Sequence, residues 1–304
     1  MQRIKIGTRG SKLALWQANY IAELLRKAGF ETGIITIDTK GDKILNAPFA
    51  EIGTKGLFTE ELEIKLRNQE IDIAVHSAKD MQSELDDDLM ILAFTEREDA
   101  NDVLVSYKKE ISFTDKNLII GTSSTRRRAI LKHFYPHLEL RNARGNLQTR
   151  MKKMEDGQFD AMILAYAGVH RMNYDQYIVQ KLPLNIFTPA VGQGSIAIEC
   201  TVSLNEEKKA IIRRTVNDSM TEICLLTERA FLRTLQGGCS IPAFGLARLE
   251  GNVIHMTGGV LSLDGKTMIR EEIRGDKKDT QKLGVELAEK ILALGGDKIL
   301  EDIR

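Results

Sequence analysis

The chain has 304 residues with 43 acidic and 43 basic side chains, so its formal net charge is zero. This length suits about two domains, or three small ones, each with a hydrophobic core. A hydrophobic fraction of 42% and a charged fraction of 28% are typical of a globular protein. The overall charge excludes a general attraction to nucleic acid or membranes and leaves room for a local basic patch.

No apolar run approaches the roughly 18 residues of a transmembrane helix, and the N-terminus has no apolar core of a signal peptide. The cysteines, at positions 200, 224 and 239, form no Cys-x-x-Cys pair. Such a sparse, odd set is typical of free thiols in a reducing compartment. Histidine and the acidic residues show no metal-ligand spacing. We therefore expect a cytoplasmic protein without a membrane segment and without a metal.

The first residues predict a strand, a turn and a helix. Ile4 and Ile6 alternate with polar residues, as in a strand, and Ser11 is placed to cap the helix. The apolar face of that helix is predicted to carry Leu13, Trp16, Tyr20, Leu24 and Ala28.

The same order recurs in residues 117–134, "NLIIGTSSTRRRAILKHF". Both strands end in Ile-Gly-Thr, and both helices begin after a serine or threonine. This repetition predicts two α/β lobes with mostly parallel sheets that are covered on both faces. Ligands bind beyond the carboxyl ends of such strands, where both Gly-Thr turns lie.

The second half predicts a crossing between lobes and a separate C-terminal part. Pro189, Gly192 and Gly194 interrupt the pattern before the predicted strand "SIAIEC". After about position 220, a helix leads to strands with a hairpin turn at "LDGK", and a last helix follows at about 279–294. This part is predicted to be a small α+β domain.

Three consecutive arginines, Arg126, Arg127 and Arg128, fall in the first turn of the second predicted helix. The helix dipole disfavours each cation there by up to about 1 kcal/mol, and the three repel one another. An anionic partner reverses these terms, because backbone N–H groups and guanidinium groups bind carboxylates and phosphates. A solvated basic face is the alternative. The position of these arginines beyond a predicted strand favours a polyanion site, and the lack of interleaved aromatic residues disfavours nucleic acid.

In "VHSAKDM", residues 75–81, a buried strand is followed by Lys79 and Asp80. A charged pair at the end of a strand is typical of a functional carboxylate, and equally of a polar loop in which the two side chains pair with each other. His76 fits a half-buried strand residue better than a catalyst, because no nucleophile lies at a suitable spacing.

Cys239 follows two glycines in "LQGGCSIP", whereas Cys200 and Cys224 lie among apolar residues and are predicted to be core. The glycines allow close approach and unusual dihedrals. A thiol in such a loop is a nucleophile, an attachment point or an incidental residue. No pattern of histidine and asparagine supports a cysteine hydrolase.

Eight stretches of the chain match one family in order and at compatible spacing. They are "IGTRGSKLALWQA", "GTKGLFTEELE", "DIAVHSAKD", "GTSSTRRRAIL", "RNARGNLQTR", "DAMILAYAG", "PAVGQGSIAIEC" and "ERAFLRTLQGGCSIP". On these motifs, the chain resembles the porphobilinogen deaminase family, also called the hydroxymethylbilane synthases, over nearly its whole length.

The resemblance implies a transferase that joins four porphobilinogen molecules head to tail with release of ammonia. The product is the linear tetrapyrrole hydroxymethylbilane, made for haem and related pigments. A dipyrromethane cofactor, built by the enzyme as a primer, is implied to be bound covalently through a thioether to Cys239, and Asp80 to be the catalytic group near the pyrrole nitrogens. The implied partners are porphobilinogen and the growing oligopyrrole chain, with no nucleic acid and no membrane. The implied state is a monomer.

The family's binding positions carry over to residues that suit carboxylates. The cations among them are Arg9, Lys79, Arg126, Arg127, Arg144 and Arg150. The hydroxyl or amide donors are Ser11, Thr122, Ser123 and Ser124, and Gly145 belongs to the same set. A lid at 42–58 is implied to contribute Lys55 and Phe58.

The implied fold class is α/β, with two similar periplasmic-binding-protein-like domains and a small α+β C-terminal domain. Domain 1 is expected at 1–97 and 194–217, domain 2 at 98–193, and domain 3, with the cysteine loop, at 218–304. The family's His-Ser-Met-Lys-Asp motif, followed shortly by proline, has Ala78 and Gln82 here. Glu51 and Glu60 stand where lysines are often found.

Two other functions fit parts of the sequence. A non-catalytic binder of small anions on the same two-lobed scaffold is the main alternative, but it leaves the Gly-Gly-Cys loop without a purpose. A hydrolase with a cysteine nucleophile would need a base near Cys239, and the sequence identifies none.

Overall fold

A computed structural model of the chain describes residues 3–39, 59–238 and 240–303. Its strands, in chain order, are β1 (Arg3–Arg9), β2 (Glu31–Ile37), β3 (Ile73–Ser77), β4 (Leu89–Phe94), β5 (Asp102–Val105), β6 (Ile119–Gly121), β7 (Glu139–Arg141), β8 (Ala161–Ala165), β9 (Ile178–Lys181), β10 (Ile196–Thr201), β11 (Ala243–Glu250), β12 (Val253–Leu261) and β13 (Met268–Asp276). Its helices are α1 (Lys12–Lys27), α2 (Glu60–Arg67), α3 (Thr125–Phe134), α4 (Leu147–Glu155), α5 (Tyr166–Arg171), α6 (Glu206–Val216), α7 (Ser219–Thr234), α8 (Thr280–Ile291) and α9 (Asp297–Glu301). Within the described ranges, no helix has the length and apolar character needed to cross a membrane.

The chain divides into two compact units, Met1–Glu98 with Ser195–Glu222, and Asp99–Gly194 with Ile223–Arg304. It passes between the units after Glu98, after Gly194 and after Glu222. This division keeps the C-terminal residues in one unit with 99–194, so the three domain boundaries stay a prediction.

The first unit contains a five-stranded sheet in the order β2-β1-β3-β10-β4. β1 pairs in parallel with β2 and β3, whereas β10 is antiparallel to both β3 and β4. Apolar residues of α1 and α6 cover one face of the sheet, and Leu62 and Leu66 of α2 cover the other. The predicted α/β construction is therefore present, with both faces buried.

The buried face of α1 differs from the predicted one. Its buried residues are Ala14, Gln17, Ala18, Ile21, Ala22 and Leu25. Tyr20 is 38% exposed and stacks on Trp16, with ring centroids 5.5 Å apart. The prediction placed the aromatic residues inward. Alanines at the contact let a helix approach a sheet closely, and amphipathic rings are stable at the rim.

The second unit repeats this plan in a sheet of order β7-β6-β8-β5-β9. β6 is parallel to β7 and β8, and β5 is antiparallel to both of its neighbours. α3 packs on one face of the sheet, and α4 and α5 pack on the other. The two lobes of similar construction that the sequence predicted are therefore confirmed.

In each sheet the reversed strand occupies the fourth position, and it is the first strand after the chain enters the unit. β5 follows the passage after Glu98, and β10 follows the passage after Gly194. The sequence predicted mostly parallel sheets but not this reversal. A fully buried strand such as β5 has the same apolar pattern in either direction, so direction is set by the connection.

The C-terminal part forms an antiparallel sheet of β11, β12 and β13. Leu283, Leu287 and Ile291 of α8 pack in its core, which confirms the predicted small α+β part. The predicted hairpin turn joins β12 to β13, with Gly265 at φ +76°. This turn contacts α3, because Lys132 donates to the Leu263 carbonyl at 2.8 Å and His133 Nδ1 bonds to the Gly265 carbonyl at 2.7 Å.

Candidate active site

In the first unit, the turn from β1 to α1 carries two of the predicted binding residues. Arg9 is the last residue of β1. Ser11 caps α1, since its Oγ accepts a hydrogen bond from the Ala14 N–H at 3.2 Å. The hydroxyl of Thr8 donates to the Ala14 carbonyl at 3.1 Å. Two side chains thus fix the turn, as the predicted capping role of Ser11 requires.

The same edge of the sheet carries Lys79 and Asp80. They lie in a single 3₁₀ turn, Ala78–Asp80, directly after β3, and both side chains are partly exposed. Ser77 accepts a hydrogen bond from the Gln17 amide of α1 at 2.9 Å, and the Ala78 N–H donates to the Ser195 carbonyl at 3.0 Å. Because β1 and β3 are parallel neighbours, their carboxyl ends bring Asp80 and Arg9 to one edge.

The second unit repeats the turn. Ser124 caps α3, with its Oγ accepting from the Arg127 N–H at 3.5 Å. Thr122 Oγ1 accepts from the Ser124 N–H at 3.3 Å, and the Thr122 N–H donates to the Arg141 carbonyl at 2.9 Å. Thr122 and Ser124 of the predicted binding set therefore also build the turn in which they lie.

The shared Ile-Gly-Thr motif has a packing reason that the sequence did not show. A Cβ on Gly7 would lie 2.3 Å from Ile71 Cδ1, and a Cβ on Gly121 would lie 2.8 Å from the ring of Phe159. In both units, a large side chain therefore packs directly against the backbone of the strand that carries the turn.

Arg126 and Arg127 are buried, at 4% and 7% exposure, and share one carboxylate. Arg126 Nη2 donates to Asp102 Oδ2 at 2.8 Å, and Arg127 Nη2 donates to Asp102 Oδ1 at 2.7 Å. The Gln193 amide adds a hydrogen bond to Oδ1 at 2.9 Å. The sequence predicted an anionic partner for these arginines but missed that the chain supplies one itself. The available signal was an acidic residue opening the apolar strand "DVLV".

Burial raises the pKa of Asp102, but the charges of Arg126 and Arg127 and the hydrogen bonds more than offset it. The pKa of this carboxyl is therefore held well below its ordinary range. Burial lowers the pKa of Arg126, and the nearby Asp102 opposes that effect. One carboxylate balances one of the two guanidinium charges, so the pair of arginines keeps an excess positive charge.

Several donors at the start of α3 are buried without a hydrogen-bond partner among the described residues. They are Ser123 Oγ, Arg126 Nε, Arg127 Nε and Arg128 Nη1. An unpaired buried donor costs about 1–3 kcal/mol. Together with the excess charge and the positive end of α3, these donors suit a ligand that supplies anionic oxygen atoms.

The turn before α4 carries Arg144 and Gly145, and Arg150 follows within α4. Arg150 Nε donates to the Gly145 carbonyl at 2.7 Å. Gly145 has φ +104°, and a Cβ there would lie 2.7 Å from Thr149 Cγ2, so the turn requires glycine. Since β7 and β6 are parallel neighbours, this turn lies at the same edge of the sheet as Ser124.

Three predicted site residues, Cys239, Lys55 and Phe58, lie outside the described residues, as does the predicted lid at 42–58. The other two cysteines are buried, as predicted. Burial raises the pKa of the Cys200 thiol to about 12, so this thiol is protonated and unreactive near neutral pH.

Family models match nearly the whole chain. The model described as "Porphobilinogen deaminase, dipyromethane cofactor binding domain" matches residues 4–209, and the model of the porphobilinogen deaminase C-terminal domain matches residues 222–293. The chain belongs to the porphobilinogen deaminase family. A porphobilinogen deaminase of Cytophaga hutchinsonii is 55% identical, covering 99% of this chain and 97% of the relative. One of Desulfosudis oleivorans is 50% identical, covering 99% and 98%. The chain is therefore a transferase, and the resemblance read from its motifs is confirmed.

Among solved structures, the VFT2 domain of Bordetella pertussis BvgS is 17% identical with a TM-score of 0.44, covering 70% of this chain and 86% of that domain. A Salmonella typhimurium periplasmic binding protein with high arginine specificity is 11% identical with a TM-score of 0.41, covering 71% and 92%. At such identities and TM-scores, these likenesses support no conclusion about function.

The described residues fit the dipyrromethane cofactor that the family model names. Each pyrrole of this group carries an acetate and a propionate, and carboxylate oxygens accept hydrogen bonds from guanidinium and hydroxyl groups. Ser123, Arg126 and Arg127 have buried donors of this kind that lack a hydrogen-bond partner among the described residues. Those arginines retain the positive charge that Asp102 leaves unbalanced.

The Asp102→Asn substitution is expected to reduce the free energy of unfolding by about 3–5 kcal/mol, because it leaves two buried guanidinium groups without an anion. Urea unfolding at pH 7 measures this loss, and the exposed Glu155→Gln serves as a control that should unfold like the wild type. An Asp102→Asn protein as stable as the wild type would contradict the proposed charge balance.

The difference in stability between the wild type and Asp102→Asn should depend on pH. The folded pKa of Asp102 lies below its unfolded value of about 3.9. Its stabilisation is therefore complete above that value and is lost as the pH falls through the folded pKa. The difference between wild type and Asp102→Asn should be constant from pH 5 to 7 and shrink below about pH 4.

Proposed function

We propose that the chain is a hydroxymethylbilane synthase that joins four porphobilinogen molecules head to tail and releases ammonia at each step. Relatives that match almost the full chain carry the name porphobilinogen deaminase. The observation in the molecule itself that best supports the proposal is the set of buried, unpaired donors at the start of α3. A substrate and product rich in carboxylates would satisfy them.

Cations in each unit are proposed to bind carboxylates of pyrroles. Each added pyrrole brings an acetate and a propionate, so the growing chain is a polyanion. Arg126 and Arg127 offer fixed Nε–H donors. The other proposed binding cations lie at the carboxyl ends of strands, in the turn before α4 or in α4 itself, and they are Arg9, Lys79, Arg144 and Arg150. Arginine suits this role because its planar group binds carboxylate oxygens in pairs.

Asp80 is proposed to be the catalytic residue. Loss of ammonia from porphobilinogen leaves an electron-poor azafulvene whose positive charge is shared by the pyrrole nitrogen. A carboxylate at that nitrogen stabilises charge that develops in the transition state. The same group can protonate the leaving amine and accept a proton after the new bond forms. The partly exposed position of Asp80 after β3 leaves its carboxylate accessible to substrate.

The dipyrromethane cofactor, when bound, supplies the acceptor pyrrole to which the first porphobilinogen is joined. We propose Cys239 as its attachment point. Both other cysteines are buried, whereas Cys239 follows two glycines after the end of α7. The resemblance also supports contacts of Lys55 and Phe58 with the growing chain, and a monomer that works in the cytoplasm.

Intact-protein mass tests the attachment. The native protein should be heavier than its sequence by one covalent dipyrrole, and Cys239→Ser should remove that increment because it removes the sulfur. Cys224→Ala is the control and should retain the increment. A fully active native protein with the mass of its sequence would show that no covalent cofactor is present.

Asp80→Asn tests the catalytic role. We expect a folded protein whose rate of ammonia release from porphobilinogen falls by about 10²–10³-fold, as is typical when a charge-stabilising group is lost. Asp87→Asn, an exposed substitution seven positions away, should retain the wild-type rate. Near-normal turnover of Asp80→Asn would assign the chemistry to another group. If the wild type released no ammonia, the chain would be an anion binder rather than a synthase.

A further inference from the structure

The segment that carries Asp80 has little regular structure of its own. The turn Ala78–Asp80 is one turn of 3₁₀ helix, closed by a hydrogen bond of 3.3 Å from the Met81 N–H to the Ala78 carbonyl. Single 3₁₀ turns have poor hydrogen-bond geometry. The position of Asp80 therefore depends on how the chain is held before and after this turn.

Before the turn, the chain is held by the sheet. His76 is buried in β3, and its Nε2 lies 3.0 Å from Glu199 Oε2 on the adjacent strand β10. After the turn, Met81 is buried and extended. Gln82 is the first side chain after Asp80 that hydrogen bonds to another element.

Gln82 connects this segment to the start of α2. Its Nε2 donates to Thr59 Oγ1 at 3.1 Å and to Glu63 Oε1 at 2.9 Å. Thr59 is buried, Glu63 is 5% exposed, and the Thr59 side chain also hydrogen bonds to Glu63. Gln82, Thr59 and Glu63 therefore form a closed triangle of hydrogen bonds in which each member holds the other two.

Glu63 is an unusual anchor because it is a buried acid among other charges. Burial raises its pKa, the Thr59 hydrogen bond opposes this, and the charge of Glu199 on β10 raises it further. Arg67 Nη1, 3.9 Å from Glu63 Oε2, lowers the pKa of Glu63. Asp86, in the loop before β4, raises that pKa. His76 contacts the same Glu199, with its Nε2 3.0 Å from Glu199 Oε2. The Gln82 amide gives Glu63 a donor without adding charge.

We propose that Gln82 is a positioning residue, which holds Asp80 in place through its hydrogen bonds to Thr59 and Glu63. The inference rests on the proposed catalytic role of Asp80. One buried residue, Met81, separates the two, so a shift of Gln82 is transmitted directly along the backbone. Catalytic groups need to be held within about 0.5 Å of their working position, and an error of about 1 Å can cost a hundredfold in rate.

A purely structural role for Gln82 makes a different prediction. If its amide served only to stabilise the start of α2, removing it would reduce stability and leave the turnover of the folded enzyme unchanged. The positioning role instead lowers kcat in the folded enzyme and leaves KM for porphobilinogen nearly unchanged, because all the cations proposed to bind carboxylates except Lys79 lie on other segments.

The first experiment compares Gln82→Ala with Asn205→Ala in the full-length enzyme carrying its cofactor. Asn205 caps α6 in the same unit and does so by accepting a hydrogen bond from Lys208, so its loss matches the structural part of the change. We expect kcat of Gln82→Ala to fall about tenfold to a hundredfold, KM to change by less than about threefold, and Asn205→Ala to keep the wild-type kcat.

A second variant, Gln82→Glu, uses pH as the readout. Two carboxylates at hydrogen-bond distance repel when both are ionised and share a proton when one is neutral. The kcat of Gln82→Glu relative to wild type should be about 0.1 or less at pH 8.5 and rise at least about threefold by pH 6.5. If Gln82→Ala does not fold, this pH series decides the question.

The outcomes separate the two levels of the proposal. Wild-type kcat in Gln82→Ala, an equal loss of kcat in Asn205→Ala, or a Gln82→Glu ratio that does not change with pH would each overturn the positioning role. These results leave the role of Asp80 intact if Asp80→Asn is inactive. An active Asp80→Asn would refute the catalytic assignment itself.

Discussion

Asp102 is the buried anion that allows two arginines to lie inside the second unit. It begins β5, three residues after the chain enters the unit, and its carboxylate binds both guanidinium groups. Gln193, next to the point where the chain leaves, donates to the same carboxylate and to the Ala100 carbonyl. One acidic side chain therefore joins the entering segment, the leaving segment and the start of α3.

This network contributes orientation more than stability. The cost of removing charges from water offsets most of the attraction within a buried ion pair. Its effect is that the terminal nitrogens of Arg126 and Arg127 are directed to Asp102 and to the Thr188 and Ile163 carbonyls. Among the described residues, their Nε–H groups have no hydrogen-bond partner, and both arginines lie in the first turn of α3. The binding energy of an anion is greater when its donors are already in place.

The sequence was sufficient to predict the order of strands, turns and helices, because these features depend on local residues. The two Ile-Gly-Thr turns, the caps Ser11 and Ser124, and the hairpin at Gly265 each depend on a few adjacent residues. Contacts between residues distant in sequence could not be predicted. The partnership of Asp102 with Arg126 joins residues 24 positions apart, and the direction of β5 depends on where the chain enters the unit.

The same distinction between local motifs and long-range contacts applies to the candidate site. Family motifs predicted the residues that present charges. Asp102, which binds two of them, was missed because its role is defined by its contacts. Gln82 was noticed at first as a departure from a proline, and its bonds to Thr59 and Glu63 were not foreseeable from a spacing of about twenty residues.

The two units use opposite solutions for holding their charged groups. In the second unit, positive groups are held by a negative one, which is tolerable because an excess of positive charge remains for an anionic ligand. In the first unit, the proposed catalytic group, Asp80, is an acid. A charged side chain that held it in place would change its basicity. An arginine at position 82 would bind Glu63 more strongly than an amide, but it would add a second cation, besides Lys79, within two residues of Asp80 and weaken it further as a proton acceptor. A neutral amide supplies hydrogen bonds without this effect, which gives a physical reason for glutamine at that position.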